Sequence, residues 1–376
     1  MRFTIKREEF LKALTIANRA VGSKVTNPVL GNLKIDLTEN GLFITGSNYD
    51  LTIQTQVPYK FNGQEIIRNY KEGAILTDSR FLLEMIRKLD SEEITFDVVD
   101  STDACISAGE CSNYTLRCIR AEEYPDLDLE PSGVKLTLSK ETFDALVSQT
   151  AFAASTKEQK PVLTAINLDA NNGVLVATAT DSARMARNEV KIDTDVHFVA
   201  NVPAKMMIEI NHLVENVDTL DVSFSSNKAL FIIGRTVVAT RLIAGEYPNT
   251  KNILANIGKV FMSLEVNANN MTKAIDRVNP FSVDRANVVD LTMNENRVEV
   301  SARSQQIGHA IERIEVFKYV GQDLRISFNS EFVVAAIKSL RCEDVVFEFA
   351  GEMKSFVIKN ISDDSVIQII TPVRVY

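Results

Sequence analysis

Short runs of alternating apolar and polar residues fill most of this chain, broken at intervals by segments with helical apolar spacing. Residues 1–20 pass from the alternation Phe3-Thr-Ile5 into Phe10, Leu11, Leu14 and Ile16, which predicts a strand and then an amphipathic helix. Two strands flank Asn40-Gly41, a dipeptide that favours a tight hairpin turn because both central positions need positive φ. A second helix is predicted over 78–89, begun by Asp78 or Ser79 as N-cap. Ile94-Thr-Phe-Asp-Val98 and Tyr114-Thr-Leu-Arg-Cys-Ile119 alternate as strands, and the stretch closes at Ala121-Glu-Glu-Tyr-Pro-Asp126.

The pattern then starts again. Val134-Lys-Leu-Thr-Leu138 leads into a helical segment over 140–149. A strand start follows at Pro161-Val-Leu163, then a turn at Asn172-Gly173 and a strand ending in Thr178-Ala-Thr-Asp-Ser-Ala-Arg-Met185. Pro28-Val-Leu30 answers Pro161-Val-Leu163 at an offset of 133 residues, and Asn40-Gly41 answers Asn172-Gly173 at 132. A spacing so nearly constant marks an internal repeat. The second helix of the middle copy spans 203–213, and Ala244-Gly-Glu-Tyr-Pro-Asn249 closes that copy 123 residues after its counterpart at 121. The last copy is more diverged. Met271-Thr-Lys-Ala-Ile275 stands for the first helix, Asn287-Val-Val289 for the Pro-Val-Leu element and 330–340 for the second helix, with a closing strand over 366–376. The expected fold is α+β: three repeated domains, 1–126, 127–250 and 251–376, each with two helices packed on antiparallel sheets, six helices in all.

Composition changes this picture little. A single core stops growing near ~250–300 residues, so several domains suit a chain of 376. The net charge of −9 taken alone argues against an anionic partner. Cys105, Cys111 and Cys118 lie in one strand-rich stretch without a Cys-x-x-Cys or a nearby histidine, so reduced thiols are expected rather than a zinc site. The charged start excludes a signal peptide and no apolar run approaches ~18 residues, so a soluble cytoplasmic protein is expected. The acidic 126–130 segment reads as a linker, because it lacks the glycine of a calcium loop. No phosphate-binding glycine loop or nucleophile elbow is present. His197, His212 and His309 fall in separate elements, and Asp181-Ser182 reads as a capped turn. No cofactor, metal site or catalytic residue is expected.

Taken in order, Asn27-Pro-Val-Leu-Gly-Asn32, Lys160-Pro-Val-Leu-Thr164, Ala179-Thr-Asp-Ser-Ala-Arg-Met185, the two Glu-Tyr-Pro corners, Ser327-Phe-Asn329 and Thr371-Pro-Val-Arg-Val375 resemble the bacterial DNA polymerase III beta subunit family, the sliding clamps. The resemblance covers the whole chain. It implies three DNA-clamp domains forming half of a ring, closed by a second copy head to tail, with duplex DNA held inside without sequence specificity. The replicative polymerase, the clamp loader and repair proteins would attach by short hydrophobic peptides, and no reaction would be catalysed. A ring that slides needs only weak, distributed inner contacts, which reconciles the acidic charge with a DNA partner.

The resemblance also implies sites. For the peptide pocket it points to Leu163, to Thr180, Ser182, Ala183, Arg184 and Met185, and to Pro248 and Ile253. The same pocket takes Ile369, Thr371, Pro372, Val373 and Arg374 from the C-terminal segment, with Asn329, Met353 and Ser355 beside them. An apolar cluster rimmed by arginine suits a peptide anchor, whereas the residues alone read Leu163, Ile253 and Ile369 as plain core. The inner, DNA-facing positions carry Arg7, Lys12, Lys24, Arg80, Arg87, Lys88, Lys205, Lys273 and Lys338, of which Lys24 and Lys205 match basic DNA-contacting positions of the family; solvated helix faces are the alternative. Tyr114 and Leu116 on a first-domain edge strand, and Pro280 and Phe281 in the last domain, would meet across the dimer contact. Ala183 stands where the family often has histidine, Met185 where leucine is usual, Ala165 where glycine is common and Asn252 where arginine is frequent, so peptide preference is expected to differ. Two other readings remain at this point: an enzyme whose site is assembled from distant carboxylates in a deep polar pocket, and a peptide-binding adaptor that does not close into a ring.

Overall fold

A computed structural model describes residues 1–22, 27–100, 102–109, 112–255, 257–295 and 297–374; Lys24 and Cys111 lie outside these described residues. The chain forms two compact units. One comprises Met1–Lys140 with Glu209–Leu242, the other Glu141–Ile208 with Ile243–Tyr376, so residues of the middle repeat contribute to both. Among the described residues, no helix is long and apolar enough to cross a membrane.

The first unit is built on a 13-stranded antiparallel sheet. Helix α1 (Arg7–Asn18) lies on strands Gly41–Ser47 and Leu51–Val57 and packs against helix α2 (Ser79–Lys88). Asp78 caps α2 by accepting the Phe81 amide at 3.0 Å, and Arg87 and Lys88 stand in the last turn, where cations favour the helix dipole. Phe3 and Phe96 stack at 5.3 Å and Phe10 meets Phe3 edge-on at 5.9 Å. These rings fix α1 over the strands, because a large buried ring tolerates few positions.

In the second unit, helix α3 (Lys140–Ser148) and helix α4 (Ala204–Leu213) begin in one unit and end in the other by sequence. A nine-stranded sheet carries Val174–Thr180, Arg184–Lys191 and Asp363–Ile370 side by side, and a separate four-stranded sheet runs from Gly308–Arg313 to Leu324–Asn329. A short helix α5 (Thr250–Ala255) follows the second Glu-Tyr-Pro corner, and helix α6 (Ala268–Val278) packs on helix α7 (Ser330–Leu340). The last two are amphipathic, N-capped by Asn267 and Asn329, and bury Met271, Ile275, Val333 and Ile337 in one core.

Two strands join successive repeats. Leu51–Val57 pairs antiparallel with Thr236–Arg241, and Arg184–Lys191 pairs antiparallel with Asp363–Ile370. Each follows the same turn in its own copy.

Several sequence expectations are corrected. The described residues hold seven helices rather than six; the extra one is α5, nucleated where the Asn249 carboxamide accepts the Asn252 amide at 3.2 Å. Pro28 and Pro161 begin 3₁₀ turns (Pro28–Gly31, Pro161–Thr164), not strands, because proline at the first position presets the turn φ and lacks the N–H a strand would use. Asn172 and Gly173 both have positive φ (52° and 71°), whereas at Asn40-Gly41 only the glycine does. The last strand ends at Ile370, and the described residues beyond it, 371–374, are not in a strand.

Gly46 is the tightest point of the α1 packing: a Cβ there would lie 2.2 Å from the Ala17 carbonyl oxygen. Gly46→Ala is therefore expected to destabilise the first unit by at least about 2 kcal/mol, at the upper end of overpacking costs. Denaturant unfolding measures this, and an unchanged midpoint contradicts the packing described.

Candidate functional site

The site grows from the turn between Val174–Thr180 and Arg184–Lys191. Asp181 Oδ1 accepts the Ala183 amide at 2.9 Å and the Arg184 amide at 3.0 Å, an Asx arrangement that closes the turn locally. Thr180 Oγ1 donates to the Arg184 carbonyl at 2.6 Å and accepts the Ser182 amide at 3.1 Å. Ser182 is thereby held at φ 79°, a left-handed conformation that exposes it at the apex. The Tyr247 hydroxyl accepts the Thr180 amide at 3.0 Å. Burial pushes that phenol above its ordinary pKa, while the amide contact pulls the other way.

Arg184 turns inward. Its Nε pairs with Asp181 Oδ2 at 3.0 Å, its guanidinium lies 4.3 Å above Phe332 and 5.5 Å from Phe152, and its side chain is only 16% exposed. Stacking on two rings in a partly dry setting holds the turn against α7.

The C-terminal segment completes the site. Met185 faces Ile369 across the ladder, and with Ile257, Ala350 and Val357 they form a small apolar cluster, against which Ile253, Leu254 and Ile367 pack half-buried. The Thr371 amide donates to the Ala183 carbonyl at 2.9 Å, and the Thr371 and Ser355 hydroxyls lie 3.3 Å apart. The Val373 amide donates to the Ser327 carbonyl at 2.8 Å, two residues before Asn329. Pro248, Thr371, Val373, Arg374 and Met353 are exposed, and Pro372 is half-buried. Thus Met185, Ile253 and Ile369 converge, and Thr180, Ser182, Ala183, Arg184, Ser355, Thr371 and Val373 connect to them by hydrogen bonds or chain continuity. Among the described residues neither Leu163 nor Met353 belongs to the Met185 cluster. Leu163 is buried in its 3₁₀ turn, and the Asn329 carboxamide oxygen is engaged in capping α7.

The basic candidates sort differently. Arg80, Arg87 and Lys88 line one open cleft of about 670 Å³ beside Asn18 and Glu84. Lys88 pairs with Glu84 at 2.7 Å, which lowers the Glu84 pKa by hydrogen bonding and charge. Arg7 donates to the Ile86 and Arg87 carbonyls at 3.0 and 2.8 Å, satisfying the end of α2 instead of facing solvent freely. Lys205 is exposed on α4. Tyr114 and Leu116 lie on Ser112–Arg120, whose pairing with Gly73–Asp78 begins only at Cys118, so among the described residues that edge has no strand partner over 112–117. In the other unit Phe281 packs half-buried on the core while Pro280 is exposed.

Family descriptions for the N-terminal, central and C-terminal domains of the DNA polymerase III beta subunit match residues 1–128, 137–249 and 260–374. The beta sliding clamp of Staphylococcus epidermidis is 32% identical over 379 residues, covering all of both chains. The DNA polymerase sliding clamp of Bacillus subtilis superposes with a TM-score of 0.96 at 28% identity, and the DNA polymerase III beta chain of Streptococcus pneumoniae with 0.95 at 27%, each over the full length of both chains. The chain belongs to the DNA polymerase III beta subunit family, the sliding clamps.

Some features of this sliding clamp went unnoticed in the sequence. Phe332 and Phe152 are remote from Arg184 along the chain, so a stack on its guanidinium leaves no periodic signal. Gly308–Arg313 is an outer strand of the four-stranded sheet, with Ile311 53% exposed. An alternating run with an outward isoleucine was a legible hint of an open edge.

Asp290 braces the strand that receives Val373. Burial works against its charge, but hydrogen bonds from Arg285 (2.8 Å) and Ser327, and the nearby Arg325, hold its pKa below the usual carboxylate value. A lowered folded pKa means stability that is present above the unfolded value of about 4 and lost as pH falls through the folded one. Asp290→Asn should cost on the order of 2 kcal/mol at neutral pH, and the variant and parent thermal midpoints should converge in acid. Parallel midpoint curves from pH 7 down to pH 2 contradict this.

Proposed function

We propose that this sliding clamp is a non-catalytic processivity factor: a head-to-tail homodimeric ring that encircles duplex DNA and tethers the replicative polymerase in the cytoplasm. Its three domains divide at 1–126, 127–250 and 251–376. The clamp loader and repair proteins share the polymerase's attachment site. The observation that carries this reading is the Met185–Ile369 cluster, against which Ile253 and Leu254 pack half-buried, joined by the Thr371–Ala183 hydrogen bond to the exposed segment at Thr371, Val373 and Arg374. Such a shallow apolar site suits the hydrophobic end of a short peptide. Ala183 offers that peptide no side-chain polar contact, so apolar burial carries the affinity.

Ring closure is supported by open edges. Residues 112–117, with Tyr114 and Leu116, would pair with Gly308–Arg313 of a second copy, Pro280 and Phe281 packing beside them. Inside the ring, Lys24, Arg80, Arg87, Lys88 and Lys205 would meet phosphates loosely, giving a small salt dependence rather than tight binding.

A labelled peptide of the type Gln-Leu-Ser-Leu-Phe should bind saturably by fluorescence anisotropy. Met185→Asp should weaken it at least about tenfold, roughly 1.4 kcal/mol. No binding to the folded parent protein removes the pocket assignment. Replacing Tyr114 and Phe281 with aspartate should give a monomer by sedimentation and abolish polymerase stimulation while leaving peptide binding intact. A double variant that stays dimeric contradicts the interface, and a monomer that still stimulates fully contradicts the ring.

A further inference from the structure

The turn that builds the peptide groove has a twin 133 residues earlier in the chain. Asn48 Oδ1 accepts the Asp50 amide at 3.1 Å and the Leu51 amide at 2.8 Å, as Asp181 Oδ1 accepts those of Ala183 and Arg184. Tyr49 has φ 74°, matching Ser182 at 79°. The Arg241 amide donates to the Asp50 carbonyl at 3.0 Å, as that of Thr371 does to Ala183 at 2.9 Å. Thr52 faces Ala239 across the ladder where Met185 faces Ile369. The groove scaffold is therefore built twice, once with an apolar floor and once with a small, polar one.

The first groove is not bare. Residues 126–130 run along it, beside a cavity of about 310 Å³ lined by Tyr49, Asp50, Asp128, Lys228 and Arg241. Leu127 packs against a cluster containing Leu30, the repeat counterpart of Leu163. Lys228, with a side chain only 14% exposed, pairs with Asp128 Oδ2 at 2.7 Å and donates to the Asp128 and Glu130 carbonyls at 3.1 and 3.0 Å. One ammonium thus uses its three donors on one segment, and Lys228 stands opposite Arg241 much as Ser355 stands beside Thr371.

We propose that this first groove is a second peptide site already filled by the chain's own 126–130 strap, locked by Lys228, which leaves the Met185 groove as the one open to partner peptides. The proposal rests on the peptide-binding reading of the Met185 groove. The ligand class is an extended acidic segment with an apolar side chain at its second position, Asp126-Leu-Asp-Leu129 here. A lysine in place of serine selects the acid, and a threonine–alanine floor offers less apolar surface to a terminal side chain than Met185 and Ile369 do.

Thermolysin, which cuts before leucine, reads the lock in the full-length protein. Lys228→Ala should raise the rate of cleavage before Leu127 or Leu129 at least tenfold, with the thermal midpoint of the remaining fold retained. Asp128→Asn, which keeps both carbonyl contacts, should give a smaller rise. Unchanged cleavage in both variants overturns the proposal. Peptide stoichiometry reads the closure: the parent should bind one equivalent of the Gln-Leu-Ser-Leu-Phe peptide per chain, and in Met185→Asp no equivalent should keep the parent's affinity. A residual equivalent per chain that competes with a synthetic 126–130 peptide shows the first groove to be open and also overturns the proposal. If the parent protein binds no peptide at all, the Met185 reading falls, and the cleavage rates still decide whether the strap is locked.

Discussion

The antiparallel ladder that carries one repeat into the next is the constraint on which the site depends. Met185 and Ile369 meet because Arg184–Lys191 and Asp363–Ile370 pair in one register. Side chains alternate across a strand, so a slip of a single residue in either strand would turn its apolar group to the opposite face and break up the groove floor. The turn before the ladder secures that register. Its Asx bonds, the Thr180 hydroxyl and the half-buried Tyr247 hold Arg184 stacked on Phe332. The segment after Ile370 is then placed by two backbone hydrogen bonds, donated by the Thr371 and Val373 amides. Stability and function are linked here through backbone geometry more than through any one side chain.

The same duplication explains how a repeat can hold two different chemistries. Ser47-Asn-Tyr-Asp-Leu51 and Thr180-Asp-Ser-Ala-Arg184 share few letters but the same hydroxyl and Asx oxygens, so they fold alike. What differs is the lining: Thr52 and Ala239 against Met185 and Ile369. On α2 Lys88 pairs with Glu84, and on α1 Arg7 is held by hydrogen bonds to the carbonyls ending α2.

Much of this was legible in the sequence, because repeat offsets and turn residues report local geometry. The cap at Asp78, the paired Glu-Tyr-Pro corners and the apolar helix faces all follow from local chemistry, whereas the Asn329 cap was not read from the sequence. The prolines at 28 and 161 misled, since an apolar run after proline suits a strand as well as a 3₁₀ turn. Helix α5 was missed because six residues are too few for a periodic signal. The Arg184–Phe332 stack and the Lys228 lock join residues about 150 and 100 positions apart, and periodicity carries no information on such pairs.

Retention on DNA of defined topology tests the central claim most directly. The protein would be loaded onto a nicked circular duplex by its clamp loader, freed of loader, and followed by gel filtration in high salt. A topological ring remains with the circle and is released when a single cut linearises it. Retention on the linear form, or loss from the intact circle, would mean that the protein holds DNA by contact and that the encircling account is wrong.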